Sequence, residues 1–152
     1  MDLSKLRSGE IAAAVGGLVL VIAVFLPAYS PDRDNPNAVV AGGRGDASIW
    51  DANSIIRILL LLTAIAPRVL LWVIARGHEL SWPRGEMTAV IGLVAATLLF
   101  YVGIIDRPGE PSGQIGLSFG WFLAFLASLV VAAGGAIRSS EFERKRKPPG
   151  VL

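Results

Sequence analysis

Three stretches of this chain carry no charged residue for the length of a membrane-crossing helix, and that constrains its fold more than any other feature. A bilayer core of about 30 Å takes roughly 20 apolar helical residues. Glu10 and Asp32 bracket the first stretch, which is apolar throughout from Ile11 to Leu26. Glu86 and Asp106 bracket the next, Met87 to Ile105; Glu110 and Arg138 bracket the longest, apolar from Ile115 to Ile137. A further candidate, Ile55 to Ile74, is apolar apart from Arg57 near its start and Pro67-Arg68 inside it. A mid-helix arginine costs about 2.5–3.5 kcal/mol on insertion scales. Ile55, Ile56, Ile58 and Leu59 to Leu62 offset that cost, and an off-centre guanidinium can snorkel toward the interface. The favoured geometry is a full span that kinks at Pro67 and continues to about Ala75. The alternative starts near Ile49, ends at Pro67 and leaves Arg68 to Arg76 in the interface. Spans are therefore placed at residues 10–29, 54–75, 87–105 and 115–137, in a membrane domain of residues 1–138. Residues 139–152 follow as a basic, disordered tail.

Composition agrees. The 152 residues are 53% hydrophobic and 17% charged, where soluble domains run about 45–50% and about 25%. The absence of cysteine excludes disulfide frameworks, Cys-ligated zinc, Fe–S clusters and thiol redox catalysis. A single histidine, His78, excludes His-cluster metal sites. No Ser–His–Asp set, metal pair or Gly-rich phosphate loop can be assembled from the rest. No enzymatic activity, cofactor or nucleic-acid partner is therefore expected. The first apolar run exceeds the 7–15 residues of a signal peptide, and Ala28-Tyr29-Ser30 precedes Pro31, a poor residue after a scissile bond. That span is expected to be retained.

Basic residues near span ends stay cytoplasmic. With the N-terminus inside, Lys5, Arg7, Arg68, Arg76, Arg84, Arg138, Arg144, Lys145, Arg146 and Lys147 fall on the inner side. Only Arg33, Arg44, Arg57 and Arg107 fall outside, beside Asp32, Asp34, Asp46, Asp51, Asp106 and Glu110. Both termini are thus expected in the cytoplasm and the protein in the cell membrane. The first outer loop, Ser30 to Ile49, is rich in turn chemistry, and its Val39-Val40 pair is too short to read as a strand. The inner loop 76–85 and the second outer loop 107–114 are short, which makes their flanking helices antiparallel neighbours. The expected fold is all-α: an integral membrane four-helix bundle of two helical hairpins, N-in and C-in. Glu10-Ile-Ala-Ala-Ala-Val-Gly16 also resembles Glu86-Met-Thr-Ala-Val-Ile-Gly92. The match is short and has no counterpart between spans two and four, so it reads as chance likeness of two apolar helices.

Four groups of residues invite a role. Gly116, Gly120, Ala124, Ser128, Ala132 and Ala136 recur every four residues, a ridge without bulk along which another backbone can approach. It serves packing within the bundle or docks a second copy or another membrane protein. Arg57 and Arg68 are costly in a span; they pair with nearby acids, anchor at the interface, or line a polar cavity. Asp51, Asp106 and Glu110 are candidate partners for Arg57, and Glu10 and Glu86 for Arg68. No span holds an Asp, Glu or His at mid-depth, which disfavours a proton-coupled carrier. Trp50, Trp72, Trp82, Trp121, Tyr29 and Tyr101 fall near span ends as interfacial anchors. Arg144, Lys145, Arg146 and Lys147 form a polybasic cluster suited to anionic lipid headgroups.

Phe25-Leu-Pro-x-Tyr29 closing the first span, a polar loop, and Trp50-x-Ala52-x-Ser54 opening the second carry a likeness. In these features the chain resembles a group of small actinobacterial four-transmembrane-helix membrane proteins. The departures are Ala28, where that group commonly has Trp, and Arg57, where an acid is frequent. The resemblance implies topology and lineage, and no activity. Tetraspan junction proteins fit less well, because their paired loop cysteines are missing. The function expected is that of a non-enzymatic structural, accessory or assembly subunit packing through small-residue helix faces. The alternative is a channel or small-molecule carrier with Arg57 or Arg68 in a polar cavity.

Overall fold

The computed structural model describes residues 8–76 and 84–146. Helix α1 spans Ser8–Phe25 and ends in a bend at Leu26, ahead of Pro27, whose ring disfavours helical backbone in the residue before it. Strand β1, Pro27–Pro31, follows at once. The chain then loops to β2, Ala47–Ser48, and the one-turn helix α2, Ile49–Ala52. Helix α3 is Ile56–Ala75, and α4 is Arg84–Phe100, continued as a π-helical turn over Tyr101–Ile105. A 3₁₀ turn, Ser112–Gln114, leads into β3, Ile115–Leu117, and α5 runs from Phe119 to Arg146.

Among the described residues, four helices (α1, α3, α4 with its π turn, and α5) are long and apolar enough to cross a membrane. Helix α3 passes through Pro67 without ending there. Helix α5 begins later and extends further than the apolar run alone suggests. Gly116 lies in β3, and the segment from Ser139, read from sequence as a disordered tail, is helical as far as Arg146. Lys147 lies outside the described residues, as does Trp82.

Two hairpins are present, α1 with α3 and α4 with α5, joined chiefly by α1 against α5. The contact of α3 with α4 is slight, so the spatial order is α3, α1, α5, α4. Glycines set these distances. A Cβ on Gly134 would lie 2.6 Å from the Gly9 carbonyl and 2.7 Å from the Ala13 amide of α1. The adjacent Gly135 faces the other way, where a Cβ would lie 2.6 Å from the Gly85 carbonyl of α4. Further along, Gly16 of α1 abuts Ala127 and Val131, and Gly92 of α4 abuts Ala132. Gly9 and Gly16 therefore do on one flank of α5 what Gly85 and Gly92 do on the other. The seven-residue likeness between the two stretches has a shared packing role. Gly17 of α1 meets the Ala64 carbonyl of α3 in the same manner.

At the other end of the bundle the two longer loops form an antiparallel sheet in the order β2-β1-β3, which an all-α expectation omits. Tyr29, Ser30 and Pro31 pair with Leu117, Gly116 and Ile115. Val39 and Glu110 exchange backbone hydrogen bonds of 2.9 Å, tying the first loop to the second. Ser48 and Asp51 form a capping box that starts α2. Tyr29 is fully buried beneath this cap and its hydroxyl accepts from Asn53 Nδ2 at 3.3 Å. Burial pushes that hydroxyl up to about 12, only partly opposed by the Asn53 hydrogen bond, so it stays protonated. The core runs without a break from Tyr29, Ile49 and Ile115 down through Leu20, Leu60 and Ala124.

Because the atoms facing Gly135 are backbone, they cannot swing aside. Gly135→Leu is expected to lower the stability of the detergent-solubilised protein by about 3 kcal/mol. Gly113→Ala, where no described atom lies within 4 Å, should stay within about 0.5 kcal/mol of the parent. Denaturation followed by circular dichroism measures both.

Candidate functional site

An enclosed ion pair lies at the end of the bundle opposite the sheet. Glu10 sits in the first turn of α1, where a carboxylate suits the helix N-terminus, and Arg138 sits far along α5. The close approach at Gly9 and Gly134 brings these helices together at that level, and Arg138 Nη1 forms an ion pair with Glu10 Oε1. The carboxylate is almost wholly enclosed, at 4% side-chain exposure, whereas Arg138 keeps 17%. Glu10 is thus a structural partner inside the bundle. From sequence it reads as the charge that merely ends the first span, or as a partner for Arg68.

All four long helices meet beside this pair around a cavity of about 10 Å³. Glu10 of α1, Pro67 of α3, Thr88 of α4 and Arg138 of α5 are among its walls, with Gly134 and Gly135 at its base. That volume holds about one water molecule. Neither Arg57 nor Arg68 lines it. Among the described residues, no group of His, Asp and Glu is placed to hold a metal ion.

Arg57 lies at the sheet end, half-buried. Its Nη1 donates to the Trp50 carbonyl at 3.1 Å and its guanidinium lies 4.7 Å from the centre of the Trp50 ring, which in turn packs on Phe25 at 5.2 Å. The expected pairing with Asp51, Asp106 or Glu110 is not what the structure shows: the turn of α2 offers Arg57 the Trp50 carbonyl and ring instead. Arg68 is half-buried in α3, and its Nη2 is enclosed without a hydrogen-bond acceptor among the described residues. The structure does not bring Arg57 and Arg68 together.

The small-residue ridge divides. Gly120 packs on the Leu26 and Pro27 carbonyls, and Ala124 and Ser128 are fully buried inside the bundle. Ser128 donates to the Ala124 carbonyl at 2.9 Å within its own helix. Ala132 meets Gly92, Gly116 is a strand residue, and Ala136 is exposed. The middle of the ridge is therefore occupied by this chain's own helices. The backbones of Arg144, Lys145 and Arg146 continue α5.

Two aromatic residues read as interfacial anchors are core residues instead. Trp121 is buried, donates its indole N–H to the Leu99 carbonyl at 3.0 Å and stacks on Phe125. A Cβ on Gly103 would run into that indole, so the π turn of α4 leaves room for it. Arg107 then closes this corner by donating to the Gly103 carbonyl at 2.7 Å and the Ile115 carbonyl at 2.8 Å. Tyr29 is the other. Trp72 and Tyr101 are exposed, and Arg76 stacks on the Trp72 ring at 4.1 Å.

No family model, no curated protein and no solved structure matches this chain.

Removing one partner of an enclosed ion pair strands the other. Glu10→Gln should destabilise the bundle by about 2–3 kcal/mol, below the about 3–5 kcal/mol of a fully buried pair because Arg138 retains contact with its surroundings. Glu10→Gln combined with Arg138→Met should cost less than the sum of the two single changes in a thermal-unfolding cycle.

Proposed function

We propose that this protein is an integral, multi-pass protein of the cell membrane with both termini in the cytoplasm, serving as a non-enzymatic accessory or assembly subunit. One observation supports it most: the outward surface of every long helix is apolar. Leu18, Leu62, Leu93 and Leu126 are each more than half exposed, one on each of α1, α3, α4 and α5. In water such a surface would associate without control, whereas in hydrocarbon it matches its solvent. The backbone polar groups are meanwhile satisfied within helices, as a bilayer demands. In this reading the sheet cap with its acids faces outward, and the Glu10–Arg138 end lies near the cytoplasmic surface beside the basic end of α5. That topology is also what the resemblance to the small actinobacterial four-span proteins implies.

The accessory role rests on what the bundle interior offers. The cavity beside Glu10 and Arg138 is walled mostly by apolar atoms, admits about one water and is lined by neither Arg57 nor Arg68. A solute pathway through the bundle therefore has less support than a packed subunit that presents its outer faces to lipid and to other membrane proteins.

The chain has no cysteine of its own, so introduced thiols report cleanly. Gly45→Cys, in the open part of the cap loop, should react with a membrane-impermeant maleimide on intact cells. Ser140→Cys should react only after permeabilisation. The reverse pattern would invert the orientation, and release of the protein from membranes by alkaline carbonate would overturn membrane integration.

A further inference from the structure

We propose that α3 docks a transmembrane helix of a different protein, one that carries an Asp or Glu at mid-depth to pair with Arg68. This rests on the membrane-spanning reading above. Arg68 lies about 18 Å of helix from Ile56 and about 9 Å from Ile74, at 1.5 Å per residue, and so well inside the apolar span. Its Nη2 has no acceptor among the described residues. Arg68 as a whole is only half-buried, so beyond the enclosed Nη2 its side chain reaches the surface of α3, and a charge there in hydrocarbon calls for a partner.

Among the described residues, no acid of this chain supplies it. Glu10 is held by Arg138, and Glu86 is exposed in the first turn of α4. The one other acid within a span is Glu141, the last residue of the α5 span, so a second copy has no carboxylate to offer at that depth. Lipid phosphate suits the geometry less well. In a helix each Cα–Cβ bond tilts toward the N-terminus. That turns Arg68 away from the nearer span end and toward the membrane centre.

Helix α3 is also the one left uncovered. Only 22% of its span is buried, against 39–44% for the other three. Ile58, Leu61, Ile65, Arg68 and Trp72 follow one another at alternating spacings of three and four along one side of it. That is the seam by which two helices interdigitate, with a single polar position to choose the partner. Ile58, Ile65 and Trp72 are exposed on that seam, and Arg68 sits among them as its only charge.

The test uses the full-length protein carrying a fluorophore at Gly113→Cys, reconstituted in phosphatidylcholine vesicles. The probe is a labelled leucine-based transmembrane peptide with a central Asp, compared with one carrying Leu there, and association is read by energy transfer. The Asp peptide is expected to associate about tenfold more strongly than the Leu peptide. Arg68→Leu should abolish that preference, while Arg68→Lys and Arg57→Leu should keep it. Equal association of both peptides, or a preference that survives Arg68→Leu, would overturn the proposal. So would a preference that appears only after Glu79→Gln or Glu86→Gln, which would make Arg68's partner intramolecular. Loss of the preference when phosphatidylglycerol is added would assign Arg68 to lipid phosphate instead. Carbonate extraction and protease protection of the same vesicles score membrane insertion separately, so failure of that reading is seen on its own.

Discussion

The structure depends on one helix being in backbone contact with two others at the same level. Gly134 and Gly135 of α5 are consecutive, so their missing side chains open on two flanks, and α1 fills one while α4 fills the other. In lipid, helices gain little from leaving their apolar solvent, and association rests on close van der Waals approach. Two adjacent glycines in the central helix provide that approach twice. The register they set carries the rest of the bundle. It aligns Gly16 and Gly92 with the next turns of α5, brings Glu10 to Arg138, and leaves α3 held mainly by α1 through Gly17 and Ala64.

The same register builds the cap. Because α1 ends beside the start of α5, the residues just after the one and just before the other lie side by side and pair as β1 and β3. Their pairing buries Tyr29 and Ile115, and the core continues from the bundle into the loops. The corner at the end of α4 is made by widening that helix. The Asp106 amide bonds back five residues to the Tyr101 carbonyl, Trp121 enters against Gly103, and Arg107 joins α4 to β3. Each of these polar contacts ends on a backbone carbonyl, which lets an enclosed corner form without stranded groups.

The helices were legible in the sequence because charge bracketing and apolar length are local properties. Loop length gave the hairpins for the same reason. What escaped depends on which ends the fold brings together. The strands are two to five residues long, with no alternation to betray them, and exist only because α1 and α5 meet. The four-residue ridge from Gly116 to Ala136 looks like the contact surface of α5 because a single stripe is what periodicity detects. A helix between two neighbours needs two faces, and the pair that serves both, Gly134-Gly135, lies off that stripe. The repeated spacing of Gly9 with Gly16 and Gly85 with Gly92 was the available signal; the short internal likeness, Glu10–Gly16 with Glu86–Gly92, takes in only the second glycine of each pair and on its own reads as chance. Glu10 was misjudged for a related reason. Read as a boundary charge, it belongs to a helix that begins at Ser8 and carries it into the interior. Arg57 satisfies itself on Trp50, a neighbour created by the short helix α2, which apolar patterning does not mark.

The antiparallel seating of the first helix on the last is the claim on which all this turns, and Ser8 and Glu141 measure it. Their side chains, from the two ends of the chain, approach to 3.5 Å. With no native cysteine to interfere, Ser8→Cys with Glu141→Cys in membranes should be joined intramolecularly by a short bis-methanethiosulfonate, which spans the gap left where the longer Glu141 side chain reached Ser8. Ser8→Cys with Ser112→Cys, at opposite ends of the bundle, should remain unlinked. Cross-linking of the second pair but not the first would contradict the account.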